Sequence, residues 1–587
     1  MSEFITNNLA LWSSALVDKS SAGRGSNERQ EAYGIKKLRE LMLELAMRGK
    51  MVAQDSNDQP ASTLLEQIAK ERARRRKAED VKEEKPLPGI RETEKPFALP
   101  HGWEWVRFGS IAQHNSGKTL DRGRNTGQLR DYITTSNLYW GRFDLDNIRQ
   151  MPIGDDELEK CKARKGDLLI CEGGEAGRAA VWPYDKDICF QNHVHRARFY
   201  GGVDPYFAYR FFEKLNATGE IDQHRKGVGI SNMSSKALAS IVVPLPPVAE
   251  QHRIVAKVAE LMTLCDHLEQ QQTQSIEAQQ GLIERLLGAL TRAVSPHEQT
   301  EAWTRVANHF DTLFTTEHSI DQLQQTILEL AVMGKLVPQD PNDEPASRLL
   351  QRIVEQKAQR MKEGTMGKSQ SSPPVVDDEK QFEIPVGWIW TRLDDLALHS
   401  EAGWSPSCEP TPRKGDNWGV LKVSAVTWGK YDPGENKALP SNLEPRPEFE
   451  VMPGDFLISR ANTAELVARA VVVPNGAPRR LMMSDKIVRF VLASELDYQY
   501  LALVNGSAFS RRYYARVAGG TSSSMKNVSR DQIRNLAVAL PPLAEQQRIV
   551  ARVNELMALC DALKVLLAEV QTTQVHLADA IVEQAVA

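Results

Sequence analysis

A chain that repeats itself must satisfy the same core twice, so an internal repeat restricts the possible folds before any single element is assigned. Residues 43–62, LELAMRGKMVAQDSNDQPAS, return at 328–347 as LELAVMGKLVPQDPNDEPAS, and the GWEW of 102–105 returns as GWIW at 387–390, both displaced by 285. Further on, PLPPVAEQHRIVAKVAELMTLCDHL (244–268) returns as ALPPLAEQQRIVARVNELMALCDAL (539–563), now displaced by 295. Sparser landmarks locate the ten added residues. Ser136 and Trp140-Gly141 match Ser424 and Trp428-Gly429 at 288, as Gly166-Asp167 matches Gly454-Asp455, and Arg196 matches Arg489 at 293. Length changes fall in polar or Gly-rich segments. The flanks are nearly identical while the interiors share only a skeleton, the pattern expected of two modules on one framework that engage different things.

Composition restricts the class further. The 587 residues exceed one compact core, and 41% hydrophobic with 26% charged residues describes an ordinary globular assembly rather than a disordered or collagenous chain. No stretch approaches the roughly 18 apolar residues of a membrane span, and the N-terminus lacks a basic segment followed by an apolar run, so a cytoplasmic protein is expected. Cys161, Cys171, Cys189, Cys265, Cys408 and Cys560 show no metal-ligand spacing and no disulfide framework. Net charge is −4, but residues 102–243 carry +2 and residues 387–540 carry +3, which leaves −9 for the frame. Mildly basic interiors permit contact with a polyanion without proving it.

The repeated flanks read as helices. After Pro246-Pro247, core-compatible residues at Ile254, Val258, Leu261, Cys265 and Leu268 alternate in steps of four and three, continuing through Gln272, Ser275 and Gln279 to Leu282 and Leu286. The second copy runs Ile549, Val553, Leu556, Cys560, Leu563, Leu567, Val570, Gln574, Leu577, Ile581. These are heptad seams. Helices of about 40 residues would be about 60 Å long, and two seams in one chain can pair as an intramolecular coiled coil; the plainer alternative is that each seam packs on its own globular domain. Segments 35–48 and 320–333 predict shorter amphipathic helices ending at Gly49 and Gly334, followed by second helices opened at Ser62 and Ser347. The basic run at 70–77 is expected to be a solvated helix face leading into the 82–96 linker, because the matching linker at 364–378 carries no such cluster.

The interiors alternate short β-branched and aromatic runs with Gly, Pro, Asn and Asp, for example 103–108, 167–171, 194–199, 456–459, 470–473 and 486–491. Helical stretches at 205–217 and 498–515 make each interior α+β. Catalytic patterns fail on context. AQHNSGKT at 112–119 satisfies a loose P-loop, yet the TLDRGRNTGQ after it cannot open the helix that cradles phosphates. His193 and His195 lie at strand spacing near Cys189, but the second copy has Lys486 and Val488 there, so a strand is expected rather than a metal site. There is no G-x-S-x-G, no HExxH and no amino-methyltransferase Asn/Asp-Pro-Pro-aromatic motif. The chain is expected to catalyse nothing itself.

A duplicated chain with variable α+β interiors, each ending in PPxAEQxRIV and a long helix, resembles the specificity (S) subunit of type I restriction-modification enzymes. The carrying residues are Pro246, Pro247, Glu250, Gln251, Arg253, Ile254 and Val255, with Pro541, Pro542, Glu545, Gln546, Arg548, Ile549 and Val550. GDLLI and GDFLI at 166–170 and 454–458, and ISNMS at 230–234 with SSSMKNVS at 522–529, support it. The helical region repeated at about 300–380 is similar to the subgroup with longer S subunits.

The resemblance implies two α+β target-recognition domains, 99–245 and 381–540, carried on long, antiparallel coiled-coil helices at 246–295 and 541–587 with pseudo-twofold symmetry. Helical docking regions with linkers fill 1–98 and 296–380. Each recognition domain would read half of a bipartite, asymmetric site in double-stranded DNA. The helices would dock two modification (M) subunits, which use S-adenosylmethionine, and two restriction (R) subunits, which use ATP and Mg, would complete the complex. No catalytic residue, metal or cofactor is expected in this chain. Basic and polar loop residues are the expected DNA surface: Lys118, Thr119, Arg122, Arg124, Arg178, Lys226, Ser231 and Asn232 in the first interior. In the second they are Trp404, Arg413, Lys414, Arg460, Asn462, Ser523, Ser524, Lys526 and Asn527. Glu250, Gln251, Arg253, Glu545, Gln546 and Arg548 are the expected partner-binding residues. A coiled-coil scaffold that binds protein and no DNA is the competing reading.

Overall fold

The computed structural model describes residues 8–19, 29–79, 86–121, 126–227, 231–363, 372–427, 429–522 and 525–586. Its contacts divide the chain into two units, 1–276 with 569–587, and 277–568.

In the first unit the helix Tyr33–Met47 buries Leu38, Leu41, Met42 and Leu45 on one face, the i, i+3, i+4, i+7 pattern that produces an amphipathic stripe. Gly49 ends it at a φ of +67°, a left-handed conformation that glycine adopts without steric cost. The helix Ala61–Glu79 follows, then the recognition domain, then the rod helix Val248–Arg292 of 45 residues, of which the part up to 276 belongs to this unit. The second unit repeats the order with helices Glu317–Val332 and Ala346–Lys362, a recognition domain, and the rod helix Leu543–Val586 of 44 residues, of which the part up to 568 belongs to this unit and the rest to the first. An additional helix, Pro296–Asn308, opened by the Ser295 side chain accepting from the Glu298 N–H, precedes them.

Each unit holds three helical segments together. In the first, Gln54 reaches Glu250 while Arg39 pairs with Asp266 and Glu269 at 2.7 Å, so the docking helix runs antiparallel to the rod. Tyr33 donates to Asp579, and Lys50 Nζ donates to Val586 O at 3.3 Å, so the last segment runs parallel to the docking helix and antiparallel to the rod. The second unit repeats these ties: Gln324 donates to Asp561 and Lys335 Nζ donates to Thr291 O. Residues 324 and 335 lie 285 beyond 39 and 50, and residues 561 and 586 lie 295 beyond 266 and 291.

The seams follow expectation only over their first halves. Ile254, Val258, Leu261 and Cys265 are buried, as are Ile549, Val553 and Cys560. Beyond the polar middle the buried set becomes Ile283, Leu287 and Leu290, and in the second helix Ala578, while Leu282, Val570 and Leu577 are exposed. A straight helix drifts about 20° per heptad against a 3.5-residue repeat, so over several heptads the buried face moves by about one residue. The rod segments also share each core with the docking helix and the recognition domain, which joins the two readings of the seams rather than choosing between them.

The first recognition domain has two four-stranded sheets. One, antiparallel, runs Ala179–Val181, Leu168–Cys171, Val194–Phe199, Ala112–Ser116; the other runs Arg149–Ile153, Gln128–Ile133, Ile188–Phe190, Lys162–Ala163, with one parallel pair, Ile188–Phe190 on Gln128–Ile133. The second domain keeps the first sheet as Ala397–Ala402, Ile487–Leu492, Phe456–Ser459, Ala470–Val472 and reduces the other to three strands around Gly419–Leu421. The helix expected at 498–515 is two, Tyr498–Gly506 and Ala508–Val517, because Ser507 leaves the helical conformation and caps the second by accepting from Ser510 N.

A buried arginine clamps the two sheets of each domain. Arg196 donates to Glu159 O, Lys162 O and Asn115 Oδ1, and Arg489 donates to Glu448 O, Glu450 O, Glu401 and Asp455. Burial, with Arg198 alongside, pushes the Arg196 guanidinium down to about 10. Cys161, Cys171, Cys189, Cys265, Cys408 and Cys560 are all free thiols.

Candidate nucleic-acid interface

The PPxAEQxR segment fixes each recognition domain to its rod. Glu250 accepts from Trp103 Nε1 at 2.9 Å and from Gln54 Nε2 at 2.6 Å, and Glu545 accepts from Trp388 Nε1 at 2.9 Å. Gln251 accepts from the Asp204 N–H at 2.8 Å and donates to Pro246 O at 2.9 Å; Gln546 does the same with Asp497 and Pro541, both at 3.0 Å. Arg253 pairs with Asp58, and Arg548 with Asp343, each at 2.6 Å. The structure therefore turns four of the six expected partner-binding residues inward: Glu250, Gln251, Glu545 and Gln546 are at most 1% exposed. Desolvation raises both carboxyls above the usual range, against the pull of their tryptophan donors. Arg253 and Arg548 alone keep a solvent-facing side.

A second tie was not anticipated from the sequence. Arg107 donates to Pro88 O, Gly89 O and Ser240 O and pairs with Glu94; Arg392 donates to Pro373 O, Pro374 O and Asn535 O and pairs with Glu379. The ends of the linkers are thus straps bound to the domains. The detectable signal was an arginine at the same place in both copies, 285 residues apart, beside a proline-rich linker.

These ties hold a common backbone ribbon in place. Gly173–Gly174 pairs antiparallel with Ser231–Asn232, and Ala461–Asn462 pairs with Met525–Asn527. Met233 N donates to Glu172 O at 2.8 Å, and Val528 N to Arg460 O at 2.9 Å. Next to each ribbon the chain passes against a backbone carbonyl. Lys118 N donates to Phe190 O at 3.0 Å, and Trp404 N to Met483 O at 2.9 Å. The residues before them, Gly117 and Gly403, lie so close to those carbonyls that any Cβ would collide with them. Lys118 and Trp404 therefore occupy one structural position.

The ribbon collects part of the expected surface. Ser231 donates to Gly174 O at 2.6 Å, Lys226 forms a two-way backbone pair with Asn232, and Lys226, Asn232 and Thr119 are exposed. Lys118 is neutralised by Glu157. Arg178 sits at the adjoining turn, donating to Thr135 O at 2.7 Å and pairing with Glu175. In the second domain Lys526 Nζ donates to Gly520 O at 2.8 Å, Arg460 donates to Val528 O at 3.2 Å, Asn462 donates to Thr427 Oγ1 at 3.1 Å, and Arg446 stacks 4.4 Å over Trp404. Arg413 lies apart, donating to Asn417 O and Arg479 O at the edge of the three-stranded sheet, with Lys414 exposed beside it. Arg122, Arg124, Ser523 and Ser524 fall outside the described residues.

The enzymatic alternatives find no support in geometry. Ala112–Ser116 is a strand, and among the described residues no helix follows Gly117-Lys118 as a phosphate loop requires. His195 is buried with Nε2 against Met233 O, and no cluster able to hold a metal occurs among the described residues. No helix among them is long and apolar enough to cross a membrane.

Residues 100–278 match the type I restriction modification DNA specificity domain. The chain is 41% identical to the type I restriction enzyme EcoEI specificity subunit of Escherichia coli, with 99% of each chain covered. It is 34% identical to the EcoAI specificity subunit of the same species, over 100% of this chain and 99% of that one. Among solved structures, the HsdS subunit from Thermoanaerobacter tengcongensis is 18% identical, with 84% of this chain and 98% of that one covered at a TM-score of 0.43.

Proposed function

The chain belongs to the specificity subunits of type I restriction enzymes, the non-catalytic components of those systems, and from that premise we propose that its two domains read the two unlike halves of one asymmetric DNA site. The observation that carries this reading is the shared backbone with exchanged side chains. At one structural position stands Lys118 or Trp404, and at another Ser231 or Lys526. A common frame that presents different donors and surfaces is what reading different bases requires. In the proposed complex the frame holds two modification subunits, which bring S-adenosylmethionine to adenine, and two restriction subunits, which bring ATP and Mg, in the cytoplasm. With Glu250, Gln251, Glu545 and Gln546 occupied internally, docking falls to Arg253, Arg548 and the outer faces of the helices.

The test is a domain exchange. Residues 102–243 are replaced by the same domain of a relative with a different target, the subunit is assembled with its modification partner, and methylated adenines are mapped across a genome. One half of the motif should change and the other persist. Loss of both halves would overturn modular reading, and DNA binding that does not weaken with salt would favour a protein scaffold instead.

A further inference from the structure

The two ribbons differ at Ser231 and Lys526, but the next residue is the same in both, Asn232 and Asn527. Each asparagine is exposed on its strand, paired through its backbone, while its side-chain amide has no hydrogen-bond partner among the described residues. Each is also held rigidly. The following Met233 or Val528 is fully buried, and the serine after that caps a short helix, Ser234 accepting from Ala237 N and Ser529 from Gln532 N. The strand partners are Gly173 and Ala461, so no large side chain opposite shields the amide. A lysine adjoins in each case, Lys226 across the backbone pair and Lys526 in sequence.

Residues that read bases must differ where half-sites differ, whereas the phosphodiester backbone is the same in both. We propose that Asn232 and Asn527 are matched positioning residues that donate their side-chain amide N–H to a DNA phosphate, setting the register of each domain while its neighbours read sequence. Phosphate contacts fix orientation without carrying sequence information, which is why an identical residue persists beside exchanged ones. The inference rests on the DNA-reading function proposed above.

The experiment uses the full subunit assembled with its modification partner and a duplex carrying its own target. Asn232→Ala and Asn527→Ala should each weaken binding about tenfold, the worth of one hydrogen bond to a charged group, with the methylation motif unchanged. The isosteric Asn232→Asp and Asn527→Asp should weaken it further, because a carboxylate cannot donate and repels phosphate. Asn232→Ser, too short to reach, guards against a folding artefact and should behave as Ala does. Relaxation of the motif at particular bases would show base reading and overturn the proposal, as would Asp variants that bind like wild type. If the wild-type complex itself yields no bipartite motif, the DNA-reading function fails and the inference falls with it. A wild-type motif with indifferent variants defeats the inference alone.

Discussion

Behind the close-approach glycine the first recognition domain places Lys118, paired with Glu157, and the second places Trp404 beneath Arg446. The frames beneath them are alike, for Trp103 and Trp388 meet Glu250 and Glu545 at the same 2.9 Å. The lesson is a division of labour within one α+β design. Groups whose partners lie inside the chain are held to one solution in both copies, since a buried polar group without its partner is costly. Groups that end in solvent are released from that constraint, and at the position of Lys118 and Trp404 they have diverged.

The sharpest challenge to this comparison is to delete the matched tryptophans. Trp103→Ala and Trp388→Ala should each cost about 3–5 kcal/mol, typical of a buried aromatic truncation, and by similar amounts, read from urea denaturation of each variant. A tolerant copy would mean that the two frames are not held alike. Next in size are Gly117→Ala and Gly403→Ala, whose new methyl meets a carbonyl oxygen. Overpacking of this kind costs about 1–3 kcal/mol, again in both copies, and circular dichroism melting would detect a difference.

The exposed side of the comparison predicts inequality. Lys118 must leave Glu157 to meet a phosphate, and on that exchange Lys118→Ala should lower the dependence of log K on log salt by at most about 0.9, the release of one counterion. Trp404→Ala should weaken binding with that slope unchanged, since it removes surface rather than charge. Fluorescence titrations of the assembled complex over a range of salt would check both. Equal slopes in the two variants would remove the distinction between an electrostatic and an apolar reading position.

Much of the frame was legible because duplication and helical period are local properties of a sequence. The docking helices, the strand Val194–Phe199 and the helix Pro205–Ala217 follow from runs of residues that a single reader can scan. The interface was only partly legible. Lys118 and Trp404 both stand out as loop residues, but their equivalence depends on a strand more than 70 residues away delivering the carbonyl of Phe190 or Met483. The inward turn of Glu250 and Gln251 was hidden for a similar reason. A repeated charged motif looks like a binding surface until Trp103 and Asp204, far off in sequence, are seen to consume it. The arginine straps were missed because Arg107 and Arg392 satisfy backbone carbonyls, which have no sequence signature.

The smallest expected effect tests those straps by pH. The Arg107 hydrogen bond, then the Arg91 N–H, hold the Glu94 carboxyl down at about 2 against an ordinary 4.5, and Arg392 lowers Glu379 in the same way. A carboxyl depressed in the folded state contributes stability that is fully present above its unfolded value and lost as pH falls through its folded one. The strap contribution of Glu94 should therefore be intact at pH 5, decline as pH falls below 4.5, and be lost by about pH 2. Other carboxyls titrate over the same window, so the readout is the difference between wild type and Glu94→Gln, measured as proteolytic release at the linker from pH 5 down to pH 3. That difference should be modest, because the pair borders solvent and is screened, and it should shrink below pH 4.5 as the carboxyl takes up its proton in the unfolded chain before it does so in the fold. Glu379→Gln should trace a curve of the same sign. Opposite signs would mean that the two straps, which share the arginine's bonds to backbone carbonyls and its glutamate pair, are not the same device.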